Sequence, residues 1–135
     1  MIAAKNITTG KLKVEVGKGE RFVTDKVSCV VYTGSLLLRG SGDNDREELK
    51  IQISEGGEIE QGVEYKFDGL TQSNATYTDH HGVAWYVKGG RIKLTTFDLK
   101  NQTAIFDFDF KAFNEEGVEK DLNGDGAFQG FNTSS

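Results

Sequence analysis

Along most of the chain, apolar and polar residues alternate in short stretches, and no segment sustains an apolar period of 3.6. Alternation of this kind marks strands with one buried face. "KLKVEVG" turns Leu12, Val14 and Val16 to one side, and "EELKIQIS" does the same with Leu49, Ile51 and Ile53 while Lys50 and Gln52 take the other. "RFVTDKVSCVVY" predicts one long strand, or two broken at Asp25, and "SLLLRG" follows a turn at Gly34. "VEYKF", "NATYTD", "GVAWYVKG", "GRIKLTTFD", "TAIFDFDFKAF", "GVEKDL" and "GAFQGF" bring the total to about ten short strands. Strands joined by short turns predict an all-β fold, a single antiparallel β-sandwich or flattened barrel. Residues 1–135 are expected to form this one β domain, with 1–10 and 132–135 as flexible ends.

One pairing is constrained by charge. Ile92 and Leu94 alternate with Arg91 and Lys93, and Phe106, Phe108 and Phe110 alternate with Asp107 and Asp109. Matching the apolar faces of a hairpin requires paired residue numbers to add up to an even total. A total of 200 sets Ile92 opposite Phe108, Lys93 opposite Asp107 and Arg91 opposite Asp109, whereas 202 opposes Arg91 to Lys111. Like charges facing each other destabilise a ladder, which selects the first register. It predicts a three-residue loop, Leu99-Lys100-Asn101, with Asn101 in the left-handed conformation.

Composition narrows the function classes. Seventeen glycines and no proline leave the reversals to Gly, Asn and Asp. The net charge is −5, with Lys5, Lys11, Lys13, Lys18, Arg21 and Lys26 near the start and Asp43, Asp45, Glu47, Glu48, Glu55, Glu58, Glu60 and Glu64 in the middle. Such an acidic chain is not expected to bind nucleic acid. The longest apolar run, Leu36 to Leu38, is far from the roughly 20 residues of a membrane span. The one cysteine, Cys29, sits in a β-branched run and reads as a small buried hydrophobe. "MIAAKNITTG" holds neither a signal-length apolar stretch nor a cysteine to accept a lipid, so the residues leave the location unknown.

Four groups carry candidate chemistry. "DLNGDG" places Asp121, Asn123 and Asp125 at the spacing of the first ligands of a calcium loop. The twelfth position is Asn132 rather than a bidentate Glu, and both flanks read as strands, so a glycine-rich bulge or turn is expected instead. Asp107 and Asp109 point the same way roughly 7 Å apart, a glycosidase-like separation, but the facing Lys93 and Arg91 favour an ionised surface pair over a catalytic acid. "TDHHG" gathers Asp79, His80 and His81 at a hairpin tip. Parity puts Trp85 inward and Tyr86 outward, and with Tyr77 expected on Tyr86's face, Tyr77, Tyr86, His80 and His81 are the candidate ligand-binding residues.

The stretch "GGRIKLTTFDLKNQTAIFDFDFKAFNEEGVEKDLNGDGAF" resembles an uncharacterised domain common in small bacterial envelope lipoproteins. Phe108, Phe110 and Ala112 match that family's aromatic strand, Gly126 and Phe128 match its final motif, and "QGVEYKF" resembles an earlier strand, while Phe106 stands where the family has Gly. The resemblance implies an all-β fold and a cell-envelope or extracellular setting, and brings no catalytic or binding residue. From the residues, no nucleophile stands with a base and no phosphate loop occurs, so no enzyme activity and no cofactor are expected. The expected function is a non-enzymatic binding or assembly module of a cell surface or larger particle, with a protein partner or self-assembly rather than a small molecule. The alternative is a carbohydrate- or small-ligand-binding β-sandwich, calcium-stabilised through Asp121, Asn123 and Asp125.

Overall fold

The computed structural model describes residues 7–42, 46–55, 57–69 and 72–132. Ten strands run along the chain: β1 (Thr9–Val16), β2 (Glu20–Thr24), β3 (Lys26–Tyr32), β4 (Ser35–Ser41), β5 (Glu48–Ser54), β6 (Glu64–Lys66), β7 (Asn74–Thr78), β8 (Ala84–Asp98), β9 (Thr103–Phe113) and β10 (Glu119–Gln129). They join into one sheet ordered β2-β1-β10-β9-β8-β7-β5-β4-β3, with β6 added alongside β8. Every strand pair is antiparallel. Among the described residues there is no helix, so none is long and apolar enough to cross a membrane.

The sheet curls into a nearly closed barrel because β2 and β3 are almost one strand, bent at Asp25. Its first part pairs with β1 and its second with β4, which joins the two ends of the sheet. The remaining seam lies between β3 and the outer ends of β1 and β10. There the Cys29 N–H donates to Thr8 Oγ1 at 3.0 Å, and the Asn132 N–H donates to the Cys29 carbonyl at 2.7 Å. Asn132 Oδ1 in turn accepts from both the N–H and the hydroxyl of Thr8. Thr9, Gly10 and Asn132 therefore belong to the folded domain rather than to flexible ends; residues 1–6 and 133–135 lie outside the described residues.

The alternating pattern does what period two requires. Leu12, Val14 and Val16 of β1, Leu49, Ile51 and Ile53 of β5, and Phe106, Phe108 and Phe110 of β9 all turn inward and are buried. They merge with Tyr77, Trp85, Phe67 and Phe128 into one continuous core inside the barrel. Each large apolar side chain so buried contributes roughly 1.5–3 kcal/mol.

The β8–β9 ladder has the expected register at its centre, with Arg91↔Asp109, Ile92↔Phe108 and Lys93↔Asp107. Towards the turn the register slips by one between Leu94 and Thr96, so Asp98 faces Thr103 and the loop is Leu99–Gln102. Gln102, not Asn101, takes the left-handed conformation, at φ 52. Asn101 is instead tied to Asp98, whose carboxylate accepts its N–H at 3.1 Å and its side-chain amide at 2.8 Å.

Two expected breaks do not occur. "GVAWYVKG" and "GRIKLTTFD" are one strand, β8, and Gly89-Gly90 marks an irregularity within it. Gly90 has φ +105, and a Cβ there would lie 2.0 Å from the Asp109 carbonyl, so only glycine fits. "DLNGDG" is likewise no turn: it lies inside β10, which pairs with β1 on one side and β9 on the other. Gly126 faces inward opposite Phe106, and a Cβ on it would sit 2.3 Å from that ring. Gly124 similarly faces Phe108, with 2.7 Å from a built Cβ to the ring. These glycines are gaps that two phenylalanines fill from the neighbouring strand.

Candidate functional site

The side chains singled out for chemistry fall in two regions of the barrel. Asp121, Asn123 and Asp125 alternate with inward Leu122, Gly124 and Gly126, and all three point out from β10. Asp125 stands between Lys13 of β1 and Asp107 of β9, and Lys93 of β8 lies beyond Asp107. In the next row Asn123 stands between Glu15 and Asp109, with Arg91 beyond. The Asp107–Asp125 pairing of like charges is thus flanked by a lysine on either side, which offsets the repulsion.

Arg91 Nη1 meets Asp107 Oδ1 at 3.5 Å and Arg91 Nε meets Glu64 Oε1 at 3.8 Å, both across exposed surface. Exposed pairs of this kind contribute at most about 1 kcal/mol. Asp107 and Asp109 are neither enclosed nor set in an apolar pocket, the setting that prepares a carboxylic acid for proton donation. Between the two rows runs an open trough of ≈ 360 Å³, walled by Lys13, Glu15, Arg21, Asn123 and Asp125. Steps of two residues on a strand spread Asp121, Asn123 and Asp125 about 7 Å apart, whereas oxygens around one calcium lie within about 5 Å of each other. Among the described residues no three His, Cys, Asp or Glu side chains converge as a metal ion requires.

The second region is the rim formed by the β7–β8 and β9–β10 turns. Asp79 is buried, and its Oδ1 accepts the N–H groups of His81 at 2.9 Å and Val83 at 3.0 Å. Its Oδ2 accepts the Trp85 indole N–H at 3.1 Å. Burial alone would raise the carboxyl's pKa, but these donors, the indole first, outweigh it and hold the group below its ordinary range. Asp79 is therefore the clamp of the turn, with both carboxylate oxygens already engaged by three donors of its own hairpin. His80 and His81 stay at the exposed tip with ring centroids 4.0 Å apart.

Tyr77 departs from expectation. It sits directly opposite Trp85 across the β7–β8 ladder, which puts it on the core face and away from Tyr86. Its hydroxyl donates to Glu47 Oε2 at 2.5 Å, and burial, reinforced by that carboxylate, pushes its pKa well above the usual tyrosine range. Tyr86 does face outward and is 42% exposed. Its aromatic neighbour on that face is Phe113, directly opposite on β9 and partly exposed. Period two gives Phe113 away: it shares its parity with outward Asp107, Asp109 and Lys111 rather than with inward Phe106, Phe108 and Phe110.

Beside this pair lies a recess of ≈ 330 Å³ lined by Gly82, Val83, Ala84, Asn114, Glu115 and Glu116. The second turn has its own clamp, because Asn114 Oδ1 accepts the N–H groups of Glu116 at 3.0 Å and Val118 at 2.9 Å. In the interior, Cys29 is fully enclosed, and burial pushes its thiol up to about 12. Among the described residues no buried side-chain oxygen or nitrogen lacks a hydrogen-bond partner.

Comparison with protein families places residues 9–131 in the DUF6252 family, a domain of unknown function, and the chain belongs to that family. No curated protein and no solved structure matches it.

Proposed function

From membership of a family without an assigned function, we propose that this domain is a non-enzymatic binding or assembly module that makes its contacts through the outside of the barrel. One observation carries the reading: the inward side chains of the barrel form a single apolar core, and among the described residues no buried side-chain oxygen or nitrogen lacks a partner. A barrel that stores a ligand keeps room for it inside. Here the phenylalanines of β9 point into the interior, which favours recognition by the outward side chains and the turns. The buried carboxylate, tyrosine hydroxyl and thiol, the groups that catalysis would draw on, serve the fold instead. The resemblance to small envelope lipoproteins supports a place at a cell surface or in a larger particle, with a protein or a further copy as partner.

Two measurements test this. Sedimentation over a wide concentration range, paired with cross-linking in the native cell, should find a partner or self-assembly that is lost on changing outward residues. Screening against hydrolase substrates should find no turnover; activity abolished by Asp107→Asn or Asp109→Asn would overturn the reading.

A further inference from the structure

We propose that the rim recess and the Tyr86–Phe113 pair beside it form a binding site for a neutral glycan. This rests on the reading of the domain as a binder that uses its outer surface, and adds the ligand class and the place. A pyranose offers an apolar C–H face and a border of hydroxyls, so its site needs an accessible aromatic surface beside groups with unspent hydrogen-bonding capacity. Continuous cross-strand register aligns Lys50, Thr76, Tyr86, Phe113 and Glu119 on the outward face. The two aromatics sit in the middle of this row with polar side chains on both sides. The heads of Lys50, Thr76, Glu119, Glu115 and Glu116 make no hydrogen bond or ion pair among the described residues, so both donors and acceptors remain for sugar hydroxyls.

The recess adjoins the aromatic pair through the chain itself. Ala84 in its wall precedes Tyr86 by two residues on β8, and Asn114 follows Phe113 directly. Its ≈ 330 Å³ lies at the small end of ligand sites, which run from about 300 to 1,000 Å³. Val83, 41% exposed, gives it an apolar side. Both turns that frame it are held by buried or partly buried side-chain clamps, Asp79 and Asn114, so little ordering remains to be done on binding. Glu115 and Glu116 in the recess wall disfavour uronates and sulfated sugars at that end of the site.

The full chain, applied to an array of neutral and acidic glycans, should bind neutral members, and titration calorimetry should then measure the strongest. Tyr86→Ala and Phe113→Ser should each weaken that binding roughly tenfold or more, while Tyr32→Ala, at an exposed tyrosine on the β3–β4 hairpin, should not. Thermal melts of each variant separate lost binding from lost folding. Silence across the array, binding confined to acidic glycans, or affinity unchanged by Tyr86→Ala in a folded protein would overturn the proposal. Silence accompanied by a protein contact or self-association that Tyr86→Ala removes would sink the glycan alone and leave the outer-surface reading standing.

Discussion

Along the wall made by β9 and β10, eleven consecutive residue pairs face each other, from Glu119↔Phe113 to Gln129↔Thr103. Across the seam, among the described residues, β3 meets the ends of β1 and β10 through one parallel bridge, Val30↔Asn132, and the bonds of Thr8 and Asn132. The wall is held by interlocking shape: Phe106 and Phe108 lie over inward glycines, and Phe106 also meets Phe128 edge-on at 5.1 Å. The seam is held by a few directional bonds centred on one asparagine. Packing energy scales with area and is spread over many atoms, whereas a seam of this kind opens when its few bonds break together. The barrel is therefore expected to open first between β3 and the ends of β1 and β10, and last between β9 and β10.

The largest effect should come from the wall. Phe106→Ala removes a fully buried ring and uncovers Gly126, and urea denaturation should report a loss of about 3–5 kcal/mol. Gly126→Val sharpens the point, since strand propensity alone favours valine, yet a built Cβ lies 2.3 Å from the Phe106 ring. Overpacking should cost about 1–3 kcal/mol, and in the Phe106→Ala background the same change should cost much less or even stabilise. Independent, additive effects in that double-mutant cycle would show that the ring and the glycine do not fit one another.

Between wall and seam stands the Asp79 clamp. Its folded-state pKa is below the ordinary value, so its stabilisation is present above about pH 4 and is lost as pH falls through the lower folded pKa. Asp79→Asn should cost about 1–2 kcal/mol at neutral pH and flatten the acid limb of a melting-temperature profile. An unchanged acid limb would remove Asp79 from that role.

At the seam, Asn132→Ala should cost only about 1 kcal/mol globally. It should, however, raise amide exchange at Cys29 and Val31 while leaving β9 and β10 protected, and uniform acceleration would break the comparison. Smallest of all, Asp107→Asn should change stability by no more than about 0.5 kcal/mol, because its pairing with Arg91 at 3.5 Å is exposed.

Most strands were legible because burial on one face imposes a period of two that survives in the residues themselves. The centre of the β8–β9 register was legible too, since charge complementarity between Arg91, Lys93, Asp107 and Asp109 left one alternative with a clash. "DLNGDG" was misread for an identifiable reason. Glycine in a strand has no local signature apart from a turn unless the partner strand is known, and Phe106 and Phe108 lie some twenty residues away in sequence. Tyr77 was misplaced although residues 77 and 85 share parity and pair directly, so parity carried across the turn at Asp79–Val83 sets it on Trp85's inward face. Phe113, likewise, was available from parity within its own strand and was passed over.

The chain by itself determined that this is an all-β domain, which faces most of its strands bury, and that Asp107 and Asp109 look outward, because these follow from alternation alone. Only the tertiary structure decided that the sheet closes through one bent strand shared by β2 and β3, that Asn132 staples the seam, and that Phe113 stands beside Tyr86 next to a recess. Those features depend on which distant segments become neighbours, and pairing between strands is a property of the whole sheet that no local pattern encodes.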